Sequence, residues 1–198
     1  MSDARKPDHA INDIFVRRWS ARSFTGEIMP EEDLLTMFEA ARWAHSSSNR
    51  QPWRFSYAMR GDQNFDQFVQ FLDDGNQQWA HRAAAVVIVL SAKFTTPVDG
   101  SAPRPIGTHS LDTGCALQSL TLQAAMMDYI AHPMAGIEKE RIATGLGIDQ
   151  ERYKIECGIA IGRLGPPEQL SERNRAQEEK RSQRKPLDEM VFKGTFRG

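Results

Sequence analysis

Ala84-Ala85-Val86-Val87-Ile88-Val89-Leu90 is an unbroken run of small, β-branched and aliphatic residues with nothing polar to face water. A strand wetted on one face alternates polar and apolar residues, whereas a continuous apolar run is buried on both. The run therefore predicts a central strand covered above and below. Working outward, Trp53 to Met59 alternates, with Trp53, Phe55 and Tyr57 on one side, as a second strand. Ile155 to Ile161, with Gly162 after it, reads as another, and Tyr129 to Ala131 as a short one.

Helical spacing fills much of the rest. Ile11, Ile14 and Phe15 predict a helix over Asp8 to Arg18. Pro30 with Glu31-Glu32-Asp33 is a helix start, because proline suits the first turn and acids complement the dipole. Its apolar face comprises Leu34, Phe38 and Ala41, flanked by Leu35, Met37 and Trp43. Phe65, Phe68, Val69 and Leu72 return to that spacing, and Glu138 to Leu146 is a helix closed by Gly147. Ser110 is placed to cap a helix from Leu111 to Asp128. That helix is apolar nearly all round, as at a core centre or across a subunit contact. Lys93 to Thr108, carrying Pro97, Gly100, Pro103, Pro105 and Gly107, is a long loop, a lid or an exposed excursion. From Pro166 the chain turns charged, and Glu168 to Lys185 holds almost no core residue. Such a tail is expected to stay mobile or to wrap a partner. The whole, 1–198, reads as one domain, with 165–198 as a C-terminal extension.

Composition narrows the function. A formal net charge of -1 leaves no basic excess for nucleic acid or anionic lipid. The most apolar strand-like run, Ala83 to Ala92, is too short to cross a bilayer. The polar start, Met1 to Pro7, lacks the apolar centre of a signal peptide. Cys115 and Cys157 have no metal-ligand spacing and read as small buried side chains in a reducing compartment, so a cytoplasmic location is expected. His9, His45, His81, His109 and His132 show no metal-binding spacing, and each reads as a lone surface or satisfied histidine. Neither G-x-G-x-x-G, G-x-x-x-x-G-K-[ST] nor G-x-S-x-G occurs.

Three clusters remain. In an extended segment alternate residues project to one side, so Arg18, Ser20 and Arg22 can converge on one anion. Two guanidiniums and a hydroxyl suit a phosphomonoester; the plainer reading is a solvated basic turn. Ser46-Ser47-Ser48-Asn49-Arg50-Gln51-Pro52-Trp53 crowds donors and acceptors at a helix-to-strand junction, or is simply a polar loop. Pro133-Met134-Ala135-Gly136 follows a strand with residues small enough for a ligand to lie against the backbone; alone it is equally a turn.

Taken in order, Arg-x-Ser-x-Arg and then Ser-Ser-x-Asn-x-Gln-Pro-Trp, these clusters resemble the nitroreductase-like, FMN-dependent oxidoreductase family. The resemblance is most specific from Arg17 to Phe55. It continues through Asp112-x-Gly114 and Pro133 to Gly136, and closes at Arg184-Lys185-Pro186-Leu187-Asp188-Glu189. It implies an α+β fold, a mixed β-sheet surrounded by helices, and an intertwined homodimer whose C-terminal tail wraps the partner. It further implies FMN as cofactor, NADH or NADPH as donor, and a small electrophilic acceptor of nitroaromatic or quinone type. Arg18 and Ser20 resemble the family's phosphate ligands, with Trp19 acting through its backbone, Arg22 reaching the ribityl and pyrimidine end, and Arg184 returning to the phosphate. Ser46, Ser47 and Asn49 resemble residues that meet the flavin from the partner subunit. Asn76 matches an asparagine on the pyrimidine edge, and Pro133, Met134, Ala135 and Gly136 a stretch whose last two amides approach N5 and O4. No acid or base is implied: the flavin carries the chemistry, with Arg22 the candidate to stabilise its reduced form. Some relatives have glutamate where this chain has Ala135, which implies a more open, less acidic pocket here. The same fold also hosts reductive dehalogenases, flavin-fragmenting enzymes and dehydrogenases, and a flavin-binding dimer without efficient turnover is a further alternative.

Overall fold

The computed structural model describes residues 5–97, 99–180 and 184–197. Residues 1–4 of the polar start, 98 of the long loop, and 181–183 and 198 of the C-terminal extension lie outside the described residues. Four strands, β1 (Trp53–Met59), β2 (Ala85–Ala92), β3 (Ile130–Met134) and β4 (Tyr153–Gly162), form one sheet in the order β1-β2-β4-β3. Each neighbouring pair is antiparallel, which corrects the expectation of a mixed sheet. The connections explain this. From Met59 the chain passes through α3 (Phe65–Gln70) and α4 (Asp74–Ala80), then re-enters the sheet at Ala85, directly opposite Met59. A path that returns to the end it left gives an antiparallel neighbour, whereas a parallel one needs a crossover to the far end.

All of β2 is buried, as its composition requires. Val86, Ile88 and Leu90 meet Phe65, Phe68, Phe71, Trp79 and Ile142 beneath α3, α4 and α6 (Lys139–Leu146). Val87 and Val89 meet Leu34, Met37 and Ala41 of α2 (Glu31–Arg42) and Ala116, Leu120 and Ala124 of α5 (His109–Met126) on the opposite face. The register slips between Val89, paired with Cys157, and Leu90, paired with Ile155. This bulge leaves Glu156 unopposed in the ladder, where its carboxylate accepts from the hydroxyls of Ser91 and Ser110 at 2.6 Å each.

Several boundaries differ from the sequence reading. The first helix, α1, is only Ile14–Arg17; Asn12 Oδ1 accepts the Ile14 N–H at 3.0 Å and starts the turn there, while residues 6–13 are exposed. α5 begins at His109 after an N-cap at Thr108, because the Ser110 hydroxyl is taken by Glu156. α5 is not buried all round within one chain. Leu111 and Met126 are 70% and 58% exposed on a stripe shared with half-buried Cys115 and Leu122. α4 was not foreseen: it is polar apart from Trp79 and Ala80, and Asp73 caps it by accepting the Asn76 N–H at 2.8 Å. The charged tail also packs on its own chain, through α7 (Glu172–Glu179), whose Asn174 and Glu178 are buried. α6 ends as expected at Gly147, whose φ of +62° favours glycine.

Candidate functional site

Arg18 to Ser23 runs outside the regular elements, with extended backbone at Arg18. Ala21 and Ser23 are wholly buried, whereas Arg18, Ser20 and Arg22 are half-buried. These three, with Trp19, line a cavity of about 140 Å³ that is completed by Arg184, Arg5, Gln177 and Lys180. The expected convergence is therefore present, and Arg184 joins it from the far end of the chain. Burial and, second, the nearby Arg184 charge hold the Arg18 guanidinium below the usual arginine range. Mutual repulsion of this kind is relieved by an anion.

The segment is fixed from two sides. Glu178 of α7 accepts the Arg22 N–H at 2.9 Å and the Ser23 N–H at 3.1 Å. His132 of β3 packs its ring 4.7 Å from that of Trp79 and donates through Nδ1 to the Ala21 carbonyl at 2.9 Å. Arg22 in turn lies over Trp79 at 6.0 Å. Burial, opposed by the bond to Ala21 and reinforced by the charges of Arg22 and Arg18, holds His132 down at about 4, so the ring is neutral near pH 7.

A second group of expected residues also meets. Asn76 donates through Nδ2 to the Gly136 carbonyl at 3.0 Å, and the Asp73 N–H donates to the same oxygen at 3.1 Å. The approach is so close that a Cβ on Gly136 would lie 2.0 Å from Asp73 Oδ2. Pro133 and Gly136 are half-buried and Ala135 is exposed, leaving backbone open beside Asn76. Met134 departs from the expectation: its side chain is buried in the core, so only its backbone faces this surface.

Ser46, Ser47 and Asn49 are not among the residues lining the arginine cavity. They occupy a tight loop in which Ser48, Asn49 and Gln51 all have φ near +50°. Such conformations persist only where surroundings impose them. Here buried Asp112 of α5 accepts the Ser47 N–H at 3.2 Å and the Thr108 hydroxyl at 2.8 Å, while the Ser46 hydroxyl accepts the Gln51 N–H at 3.0 Å.

The sequence reading missed Arg5, Gln177, Lys180 and Glu178. A high local density of Arg and Lys near both ends was the only available signal. No group of three or more metal-ligating side chains exists among the described residues, and no described helix is long and apolar enough to cross a membrane. Both cysteines are free thiols, and burial, then the Glu156 charge, push Cys157 up to about 12.

An antiparallel sheet clad by helices, with an arginine-lined cavity, defines an α+β protein. The chain belongs to the nitroreductase family, whose profile matches residues 16–67 and 59–163. A crystal structure described as an oxidoreductase containing FMN superposes with a TM-score of 0.94 at 41% identity, covering 100% of this chain and 98% of that one. A Desulfovibrio desulfuricans protein, provisionally called a nitroreductase and solved in complex with FMN, shares the fold with a TM-score of 0.71 at 22% identity, covering 95% of this chain and 100% of that one. In sequence, the provisionally named NAD(P)H nitroreductase YdgI of Bacillus subtilis (strain 168) is 25% identical over 185 residues, 76% of this chain and 87% of that protein.

Proposed function

We propose that the protein is an FMN-dependent oxidoreductase that takes a hydride from NADH or NADPH and passes it to a small electrophilic acceptor of nitroaromatic or quinone type. The observation that carries this reading is the cavity in which Arg18, Ser20, Arg22 and Arg184 meet. Guanidinium groups offer paired donors to phosphate oxygens, and a hydroxyl adds another, so the residues present fit a phosphomonoester. The neighbouring Asn76–Gly136 pair and the exposed Ala135 backbone offer amide donors and acceptors where a flat ring system can rest. FMN joins these two chemistries in one molecule.

When bound, the flavin supplies a two-electron carrier. The chain's own work is to bind, orient and polarise. Arg18, Ser20 and Arg184 hold the phosphate. Arg22, steadied over Trp79 and by Glu178 on its backbone, supplies the fixed positive charge that favours an anionic reduced ring. Exposed Ala135 leaves the ring edge open, so donor and acceptor take turns at one place.

The exposed Leu111 and Met126 of α5, the exposed Ser47 and Asn49 and half-buried Ser46 favour a homodimer in which the serine loop of one subunit meets the flavin of the other. α7 packs on its own chain, and the segment beyond it then reaches across: Leu187, Met190 and Val191 are 42%, 51% and 64% exposed. Visible absorption of the purified protein, before and after anaerobic NADH or NADPH, tests the proposal. Flavin bands that bleach on addition support it. Tight flavin that neither donor reduces points to a flavin-binding dimer, and a colourless protein that takes up no FMN overturns the reading.

A further inference from the structure

The space that a side chain on Gly136 would fill is taken by Asp73. Its Oδ2 stands 2.0 Å from the Cβ position of Gly136, and so within about 3.5 Å of the Gly136 Cα, one carbon–carbon bond further. Exposed Ala135 is the preceding residue, about 3.8 Å back along the chain, which puts the carboxylate within about 7 Å of the open backbone there. The two oxygens of Asp73 are used differently. Oδ1 accepts the Asn76 N–H at 2.8 Å and caps α4, whereas Oδ2 accepts no hydrogen bond from the described residues. No described Arg, Lys or His stands within ion-pair distance of Asp73. The residue is half-buried, so water screens its charge only in part. Positive charge lies at the other end of α4, where Arg22 is 6.0 Å from the ring centre of Trp79, about 9 Å of helix rise beyond Asp73. One short helix therefore carries a carboxylate at its start, Asn76 in its first turn and a guanidinium at its end.

We propose that Asp73 selects the acceptor by charge: its unbonded carboxylate oxygen, beside the open backbone at Ala135, admits neutral and cationic acceptors and turns away carboxylated ones. The inference rests on the flavin reading above, in which the acceptor takes its place at Ala135. An anionic acceptor there meets an unpaired like charge about 7 Å away in partly desolvated surroundings, which weakens its binding about tenfold. A cationic acceptor gains by a similar factor. The donor is not opposed, because a nicotinamide ring is neutral when reduced and positively charged when oxidised. Arg22, at the far end of α4, is too distant to cancel the effect at the turn.

The test uses benzamide, benzoate and benzyltrimethylammonium, aromatic ligands that differ in charge, on the FMN-loaded full-length protein. The Kd of each is read from the change it makes in bound-flavin absorbance, and kcat/KM for the para-nitro derivatives is a second readout. Asp73→Asn keeps a good helix cap and removes the charge. In that variant benzoate is expected to gain about tenfold relative to benzamide, and the ammonium ligand to lose by a similar factor. Added salt is expected to narrow the wild-type differences. Asp74→Asn, at the exposed neighbouring residue, is expected to leave both ratios unchanged. Asp73→Ser, which also caps, repeats the comparison if the asparagine variant has a lowered Tm. Ratios that stay at the wild-type values overturn the proposal. Equal changes for all three ligands also overturn it, since they report an altered shape, as does an equally large shift in Asp74→Asn, which reports net surface charge. If the protein holds FMN that a nicotinamide donor reduces and no ratio moves, the flavin reading stands and only the role of Asp73 fails. If no ligand perturbs the flavin and no nitro derivative is reduced, the acceptor does not rest at Ala135 and the proposal falls. If wild type takes up no FMN, the flavin reading falls and the proposal with it.

Discussion

Replacing Glu178 by alanine removes the acceptor for two backbone donors at once. Arg22 N–H reaches its carboxylate at 3.2 and 2.9 Å and Ser23 N–H at 3.1 Å, and both Ser23 and Glu178 are buried. A buried donor left without a partner costs about 1–3 kcal/mol. Ser23 counts in full, whereas Arg22 is half-buried and water can reach it, so the expected loss is about 2–4 kcal/mol. Glu178→Gln keeps one acceptor oxygen but turns an amide N–H toward the second donor, so its loss should be about half as large. Urea unfolding of flavin-free protein at one fixed concentration measures both, since an oligomer's stability depends on concentration. Exposed Glu179→Ala is the control. The same variants should weaken FMN binding, because the strand presenting Arg18, Ser20 and Arg22 is no longer pinned. A loss for Glu178→Ala no larger than for Glu179→Ala would refute the claim that α7 fixes the arginine segment.

Three other perturbations have definite outcomes. Gly136→Ala puts a Cβ 2.0 Å from Asp73 Oδ2 and 2.7 Å from Asn76 Nδ2; with Asp73 held as the α4 cap, the strain should cost about 1–3 kcal/mol, read as a lower Tm, and an unchanged Tm would show that the turn yields freely. His132, held at about 4 against an ordinary value of 6.5, binds its proton more readily unfolded than folded, so its contribution is complete above pH 6.5 and is lost as pH falls toward 4. The loss is about 3 kcal/mol. It is measured as the difference between wild type and His132→Asn across that window, and parallel pH curves would exclude it. Asp112→Ala frees the Ser47 N–H and Thr108, letting the strained loop relax; flavin affinity should fall about tenfold or more, while unaltered binding would detach the loop from the site.

What the sequence made legible was what depends on near neighbours. β2 announced itself because lack of alternation is a property of one short run, and β1 was placed to the residue, Trp53–Met59, by its alternation. Arg18, Ser20 and Arg22 were readable because alternate projection follows from extended backbone alone. Partners that meet across the chain were not. Arg5 lies thirteen residues before the carbonyl it binds, and Glu178 is 156 residues from Arg22. Within a run of glutamates and arginines, a carboxylate that accepts two backbone donors looks like its solvated neighbours. The direction of the strands failed for a related reason, being set by where α3 and α4 return the chain. His132 shows the opposite case: reading it as a satisfied histidine was right for its chemistry, since the ring is buried and bonded to Ala21, yet that contact steadies the arginine strand.

On the proposed reading, α5 links assembly to the cofactor in a way that can be broken deliberately. Its inner face, through Ala116, Leu120 and Ala124, belongs to the core, and its first turn carries Asp112, from which the serine loop hangs. On its outer stripe Leu111 and Met126 are 70% and 58% exposed. If that stripe is the subunit contact, a charge placed there leaves the core untouched but becomes buried and unpaired in the dimer, at a cost of several kcal/mol. Leu111→Glu and Met126→Glu should therefore yield folded monomers by sedimentation velocity. Because the serine loop then has no partner flavin to meet, visible flavin absorbance should be lost in the same fractions. By mass action, FMN should in return pull the weakened variants back toward dimer. Monomers that keep their flavin at wild-type affinity would show that one chain holds the cofactor by itself, and would remove Ser46, Ser47 and Asn49 from the site.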